Sequence, residues 1–181
     1  MVINIVAKDQ SDINKIIKPF YWKYPTFKWV SFRDLRGFSK EGFANALREA
    51  AATIWVDEDT SFGYSAIEAM KSGSIVIAKV PNTPLEWIDA EGDDGTLRNC
   101  CVWFDNFNSL HRQIASVVRS WTTDNVPSEI AEEAKKVTEK YSEEKTIKEF
   151  KEALTAYLNG RKKELESLIR NVEKEDNENK N

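Results

Sequence analysis

Cysteine is scarce in this sequence: only two of its 181 residues, the adjacent Cys100 and Cys101. Neighbouring cysteines close no loop and lack the spacing of a zinc knuckle, which excludes a disulfide framework and suits a reducing, cytoplasmic setting. Histidine is scarcer still, with His111 alone, one residue after Leu110 in a polar helical stretch, where it reads as a surface side chain. No basic start and long apolar run mark a signal peptide, and no stretch approaches a membrane-spanning helix. Any membrane attachment is therefore expected to be peripheral or through a partner at the inner face. The sequence contains no G-x-G-x-x-G, P-loop, H-E-x-x-H, C-x-x-C or G-x-S-x-G. It also lacks a basic excess, with 26 Lys and Arg against 30 Asp and Glu and a net charge of −4, which argues against a nucleic-acid partner. No motif implies a metal or an organic cofactor.

The composition is nonetheless that of a folded protein, since 41% hydrophobic residues, six Trp and nine Phe suffice for a sizeable core. Apolar runs rich in β-branched and aromatic residues at Val2 to Ala7, Phe27 to Phe32, Thr53 to Val56, Ser74 to Ala78 and Cys101 to Phe104 read as buried strands. Helical patterns lie between them, opened by Ser11 before Ile13 and Ile16, by Ser39 before Phe43 and Leu47, and by Ser109 before Ile114 and Val117. Nearly continuous apolar strands alternating with helices imply an α/β fold, a doubly wound and mostly parallel sheet of about five strands with helices on both faces.

From Pro127 the strands stop. Two charged helical patterns follow, Glu129 to Tyr141 and, capped by Ser142, Glu143 to Leu158, with Gly160 as the expected stop. Leu165, Leu168, Ile169 and Val172 then fall at helical spacing, an apolar stripe that calls for a docking partner, before an expected disordered tail from Glu173 to Asn181.

The segment richest in chemistry runs from Ile54 to Ala78: a strand, the polar turn Asp57 to Gly63, a short helix from Tyr64, a glycine at Gly73 and a second strand. Ligands of open parallel sheets bind beyond the carboxyl ends of strands, where this turn falls. Gly63 admits close backbone approach, and the free N–H groups at the helix start favour an anion such as a diphosphate. Ser65 and Glu68 share one helix face and Ile67 and Met70 another, the second facing the core. On the residues alone, Glu68 reads as a solvated carboxylate. Asp57-Glu58-Asp59 fits a D-x-D metal-diphosphate motif in form, but reads as a solvated turn.

The same segment resembles the signature of the C-terminal domain of retaining GT-B glycosyltransferases of family 4 (glycosyl transferases group 1). That signature is E-x-F-G-hydrophobic-S-x-x-E-A-M followed by a small residue, Gly and an aliphatic strand. Phe62, Gly63, Ser65, Glu68, Ala69, Met70 and Gly73 fit it. Pro81 to Ile88 is similar to the family's small-residue loop ending in Glu and an aliphatic pair, and Glu129 to Phe150 to its helices after the last strand, so the likeness spans roughly residues 28 to 158. It implies that residues 1–158 form a Rossmann-like donor-binding domain with its C-terminal helices and that 159–181 form an amphipathic helix and charged tail. The ligand would be a nucleoside diphosphate sugar held by Lys8, Thr60, Phe62, Gly63, Tyr64, Ser65 and Glu68. Two departures qualify the site. Thr60 stands where the family has its first glutamate, and only Lys8 follows the first strand, where the family has an arginine and lysine. Either a family strand precedes Met1 or a shortened sheet has Lys8 in place of that pair.

A GT-B site lies between two domains, so this chain would be the donor half of a sugar transferase, inactive alone without an N-terminal acceptor domain or partner chain. The alternative is a non-catalytic Rossmann-like binding or assembly module of the same fold. A phosphoacceptor receiver domain, with Asp57 as acceptor, shares the strand count, but Lys8-Asp9 and Asp105-Asn106 stand where it needs paired acids and a lysine.

Overall fold

Ile5, Ile54, Ile77 and Val102 sit side by side on four adjacent strands, and the three isoleucines are fully buried. Burying each such side chain contributes about 1.5–3 kcal/mol, so this row is the spine of the core. In the computed structural model the strands are β1 (Val2–Val6), β2 (Ser31–Asp34), β3 (Ala52–Trp55), β4 (Ile75–Lys79) and β5 (Val102–Phe104). They form one fully parallel sheet in the order β2-β1-β3-β4-β5. The helices are α1 (Gln10–Lys23), α2 (Lys40–Glu49), α3 (Tyr64–Lys71), α4 (Phe107–Thr122), α5 (Ser128–Lys140) and α6 (Glu143–Glu178). The structure describes residues 1–83, 85–88, 97–123 and 128–178. Pro84 of the small-residue loop, Pro127 at the start of the charged segment, and residues 179–181 of the tail lie outside these.

The expected doubly wound α/β architecture is therefore the one found. Right-handed crossovers put α1 on one face, joined there by α4, and α2 and α3 on the other. Two units are distinguished, Met1–Glu139 and Lys140–Asn181. In the first, α5 buries Ala134 and Val137.

Several local expectations are corrected. The second strand is not Phe27 to Phe32. Pro25–Phe27 form a 3₁₀ turn, and Phe27 and Phe32 pack with Phe20, Tyr21 and Tyr24 in an aromatic cluster. The strand that follows is an edge strand, which tolerates Ser31, Arg33 and Asp34. Helix α1 begins before Ser11, with Asp9 in the N-cap position. In α4 the N-cap is Asn106, and Ser109 is its capping-box partner three residues on: the Asn106 Oδ1 accepts from Ser109 N–H at 3.0 Å and the Ser109 hydroxyl accepts from Asn106 N–H at 3.1 Å. Ser39 caps α2 as expected, accepting from Gly42 N–H.

His111 is buried, not a surface residue, because its position on α4 faces α1 together with Ile114, Ala115 and Val118. Its Nε2 lies 2.9 Å from the Lys15 carbonyl, which makes Nε2 the protonated nitrogen, and its Nδ1 lies 3.4 Å from Lys23 Nζ. Burial, reinforced by the Lys23 ammonium, holds the imidazole below its ordinary pKa.

Helix α6 runs through Gly160 without stopping, and helix rather than disorder continues from Glu173 to Glu178. One glycine costs about 1 kcal/mol in a helix interior, a penalty that many intact turns on either side can absorb. Of the apolar stripe, Leu165 is exposed. The side chains of Leu168, Ile169 and Val172 are outside the described set.

Candidate functional site

The sheet order fixes where a ligand fits. From β1 the chain passes through α1 to β2 on one side, and from β3 through α3 to β4 on the other. The loops after β1 and β3 therefore diverge at a topological switch point, with Val6 paired to Trp55 just below it.

Lys8, from the first of these loops, reaches Asp57 from the second, Nζ to Oδ1 2.7 Å, with the side chains 63% and 20% exposed. The hydrogen bond that Lys8 donates to the Asp57 carboxylate raises the lysine pKa above its ordinary value. The acidic turn is not simply solvated, as the sequence reading has it. Glu58 pairs with Lys79 at the end of β4 at 3.0 Å, and Asp59 accepts from Asn82 Nδ2 at 2.9 Å. These contacts, with the Asn82 N–H bonded to the Glu58 carbonyl at 2.9 Å, stitch the loops after β3 and β4 together.

The other predicted site residues follow directly. Thr60 Oγ1 accepts from Gly63 N–H at 3.1 Å, holding the turn closed. The Phe62 carbonyl accepts from Trp87 Nε1 at 2.6 Å, and the Phe62 ring lies 4.5 Å from that of the exposed Tyr64. Gly63 is left-handed (φ +75°), and a Cβ there would meet Trp55 Cη2 and Cζ2 at 3.0 Å and Trp87 Cζ2 at 3.1 Å. Its glycine is thus required by the tryptophans beneath the turn. Ala66 and Ile67 N–H both turn to the Gly63 carbonyl, so among the described residues the N–H groups of Tyr64 and Ser65 are the donors left at the start of α3. Ile67 and Met70 are buried as expected, and Glu68 is exposed.

Glu68 does not join the others at the turn. It lies one helical turn further on, in a groove of about 520 Å³ between α2 and α3 that is also lined by Lys40, Phe38, Phe43, Leu47 and Lys71. Thr60 to Ser65 thus form one turn and helix start after β3, Lys8 meets that loop at Asp57, and Glu68 is set apart.

Sequence reasoning missed Arg36 and Lys79. Both fall at or within two residues of a strand end, which is the signal that would have found them. Arg36 donates through Nε and Nη2 to Asp34, at 3.1 Å and 2.7 Å, and through Nη2 to Gln10 Oε1 at 2.5 Å. The guanidinium holds the Asp34 carboxyl below its usual range. Three cations, Lys8, Arg36 and Lys79, therefore stand at the carboxyl ends of the strands, and each already has a carboxylate partner. For the receiver arrangement, the lysine that touches Asp57 comes from the loop after β1, where that fold places acids, and Asn106 after β5 is occupied as a helix cap. Among the described residues no group of three or more His, Cys, Asp or Glu is placed to hold a metal ion.

A five-stranded parallel sheet with helices on both faces and a switch point between the loops after β1 and β3 defines the class: a Rossmann-like α/β domain. Among solved structures the fold is similar to the pneumococcal O-GlcNAc transferase GtfA, determined in complex with UDP and GlcNAc, with a TM-score of 0.56 and 10% sequence identity. The likeness covers 87% of this chain and 35% of that one, so the chain spans about a third of the length of the protein it matches. The likeness is one of fold. No family model matches the sequence, and comparison with curated proteins finds no match. Among the described residues no helix is long and apolar enough to cross a membrane.

Proposed function

We propose that this chain is the nucleotide-sugar-binding half of a GT-B glycosyltransferase, resembling the C-terminal domain of family 4, and that it transfers sugar only when an acceptor-binding domain completes the cleft. The observation that carries the reading is the position of the motif. The turn Thr60 to Gly63 and the N–H groups of Tyr64 and Ser65, unpaired among the described residues, stand at the switch point of a fold shared with a glycosyltransferase solved with UDP. The diphosphate lies at the start of α3, held by those N–H groups and the Ser65 hydroxyl, with Lys8, now paired to Asp57, as the cation recruited to it. Binding is weak, because an exposed charge at a helix start gains only about 0.3–1 kcal/mol and Lys8 must leave Asp57 to contribute.

A non-catalytic module of the same fold is the second reading, and the neutralised cations favour it. The two separate in calorimetry with UDP. In the donor-half reading Asp57→Asn releases Lys8 toward phosphate and tightens binding about two- to fivefold, the equivalent of about 0.3–1 kcal/mol, while Lys8→Gln weakens it. Absence of UDP binding by both the wild type and Asp57→Asn would leave the module reading.

A further inference from the structure

The charges of this acidic chain are unevenly placed. From Ile13 to Arg33 there is no Asp or Glu, while Lys15, Lys18, Lys23, Lys28 and Arg33 all fall in that segment, and α4 contributes Arg112 and Arg119 with no acid. Helices α1 and α4 pack side by side on one face of the sheet, so the cations of α1 and α4 share one surface, whereas Arg33, next to the inward Phe32 on β2, is turned to the α2 side. Lys15 pairs with Asp12 and Arg33 with Glu49, but among the described residues no carboxylate pairs with Lys18, Lys23, Lys28, Arg112 or Arg119. Lys23 donates instead to the neutral Asn108 Oδ1 at 2.7 Å.

The same surface displays half of the tryptophans. Trp22 is 84% exposed, Trp29 47% and Trp121 40%. All three lie toward the amino ends of the strands, at the end of α1, in the segment leading to β2 and at the end of α4. Arg119 ties these pieces together, its guanidinium 5.7 Å from the centre of the Phe27 ring, which meets Trp29 edge-on at 6.3 Å. On α1, Lys15, Lys18 and Trp22 stand at positions three and four apart, so ammonium groups and an indole project from a single helix face.

Fully exposing an indole without a partner forgoes the burial that large aromatic side chains ordinarily gain. Tryptophan beside lysine and arginine is the composition of groups that settle at a bilayer's headgroup level, where the ring meets the acyl boundary and the cations meet anionic headgroups. We propose that the α1–α4 face is a peripheral docking surface for an anionic phospholipid membrane, reached directly by this chain. At the strand carboxyl ends, the other end of the sheet, Lys8, Arg36 and Lys79 are each paired to a carboxylate and Asp9 and Asp59 stand in addition, so that end offers anionic headgroups no unpaired cation of these three. The bilayer therefore takes the tryptophan rim, and the switch-point loops stay open to solvent. A single-stranded nucleic acid asks for a concave basic groove with stacking platforms. A protruding Trp22 on a helix ridge fits a flat lipid interface better.

The test is co-sedimentation of the 181-residue chain with vesicles of phosphatidylcholine, alone and mixed with phosphatidylglycerol. Expected is binding to the anionic vesicles only, weakened by salt. Lys18→Gln with Lys28→Gln should lower the partition coefficient roughly thirtyfold, from about 1 kcal/mol per basic side chain at a charged surface. Trp22→Ala should lower it further while leaving the circular dichroism spectrum unchanged. Lys40→Gln with Lys71→Gln, on the α2–α3 face, should have no effect. Failure to bind anionic vesicles, equal binding to neutral ones, an equal loss in the α2–α3 pair, or tighter binding to a single-stranded oligonucleotide than to vesicles would each overturn the assignment.

Discussion

Replacing Gly63 by alanine tests whether the turn at the candidate site is set by its tryptophan bed. Two costs apply. Alanine held at φ +75° is left-handed, worth about 1–2 kcal/mol. Its Cβ would then press on Trp55 and Trp87, rings whose centroids are 6.0 Å apart and whose residues are 1% exposed, so neither can swing into solvent. Overpacking of that kind costs about 1–3 kcal/mol. The expected total is about 2–5 kcal/mol, a large part of the ~5–15 kcal/mol that holds a domain folded. Gly73 is the control. It has the same hand (φ +80°) at the end of α3, where Gly73 N–H bonds the Met70 carbonyl and Ser74 N–H the Ala69 carbonyl, but a Cβ there meets nothing within 4 Å. Gly73→Ala should lose only the conformational part, about 1–2 kcal/mol. Urea unfolding followed by circular dichroism reads both, and Gly63→Ala should be the less stable by about 1–3 kcal/mol. Equal losses, or a smaller loss at Gly63, would refute the packing account. A loss of nucleotide binding at Gly63 is interpretable only beside this measurement, since a larger side chain disturbs the bed before it blocks a ligand.

Thr53 and Ser74, both buried, share a hydrogen bond of 2.8 Å between their hydroxyls. Thr53→Val should cost about 1–3 kcal/mol by orphaning Ser74, and adding Ser74→Ala should recover much of it, because removing both polar groups is nearly neutral. A double-mutant cycle in urea checks this. His111 is neutral in the folded protein and has a depressed pKa. Its contribution is therefore complete above the ordinary histidine pKa of 6.5 and is lost as pH falls through the lower folded value. Stability of the wild type should drop across that window, and His111→Gln should flatten the drop. An unchanged pH profile in the variant would remove His111 as its source.

The order of strands and helices was legible because each central strand is a short apolar run, and Ile54 to Ala78 carried its own punctuation in Gly63 and Gly73. The second strand was misplaced because aromatic richness suits two fates. Phe27 and Phe32 serve the cluster around Phe20, and an edge strand needs less hydrophobicity than a central one. The surface reading of His111 fails although Leu110 precedes it and Ile114, Ala115 and Val118 stand three, four and seven residues on, because Ser109, Arg112 and Gln113 give the local stretch a polar look. At the site, the local turn was readable. The Lys8–Asp57 and Lys79–Glu58 pairs join residues from different loops and depend on which strands are neighbours, information that no single segment contains.

The most direct test of the central reading is an amide ¹⁵N–¹H titration of the chain with UDP. The account expects saturable, weak shifts centred on Tyr64 and Ser65, with Lys8 responding as it leaves Asp57. No shifts, or shifts confined to residues away from the switch point, would contradict it.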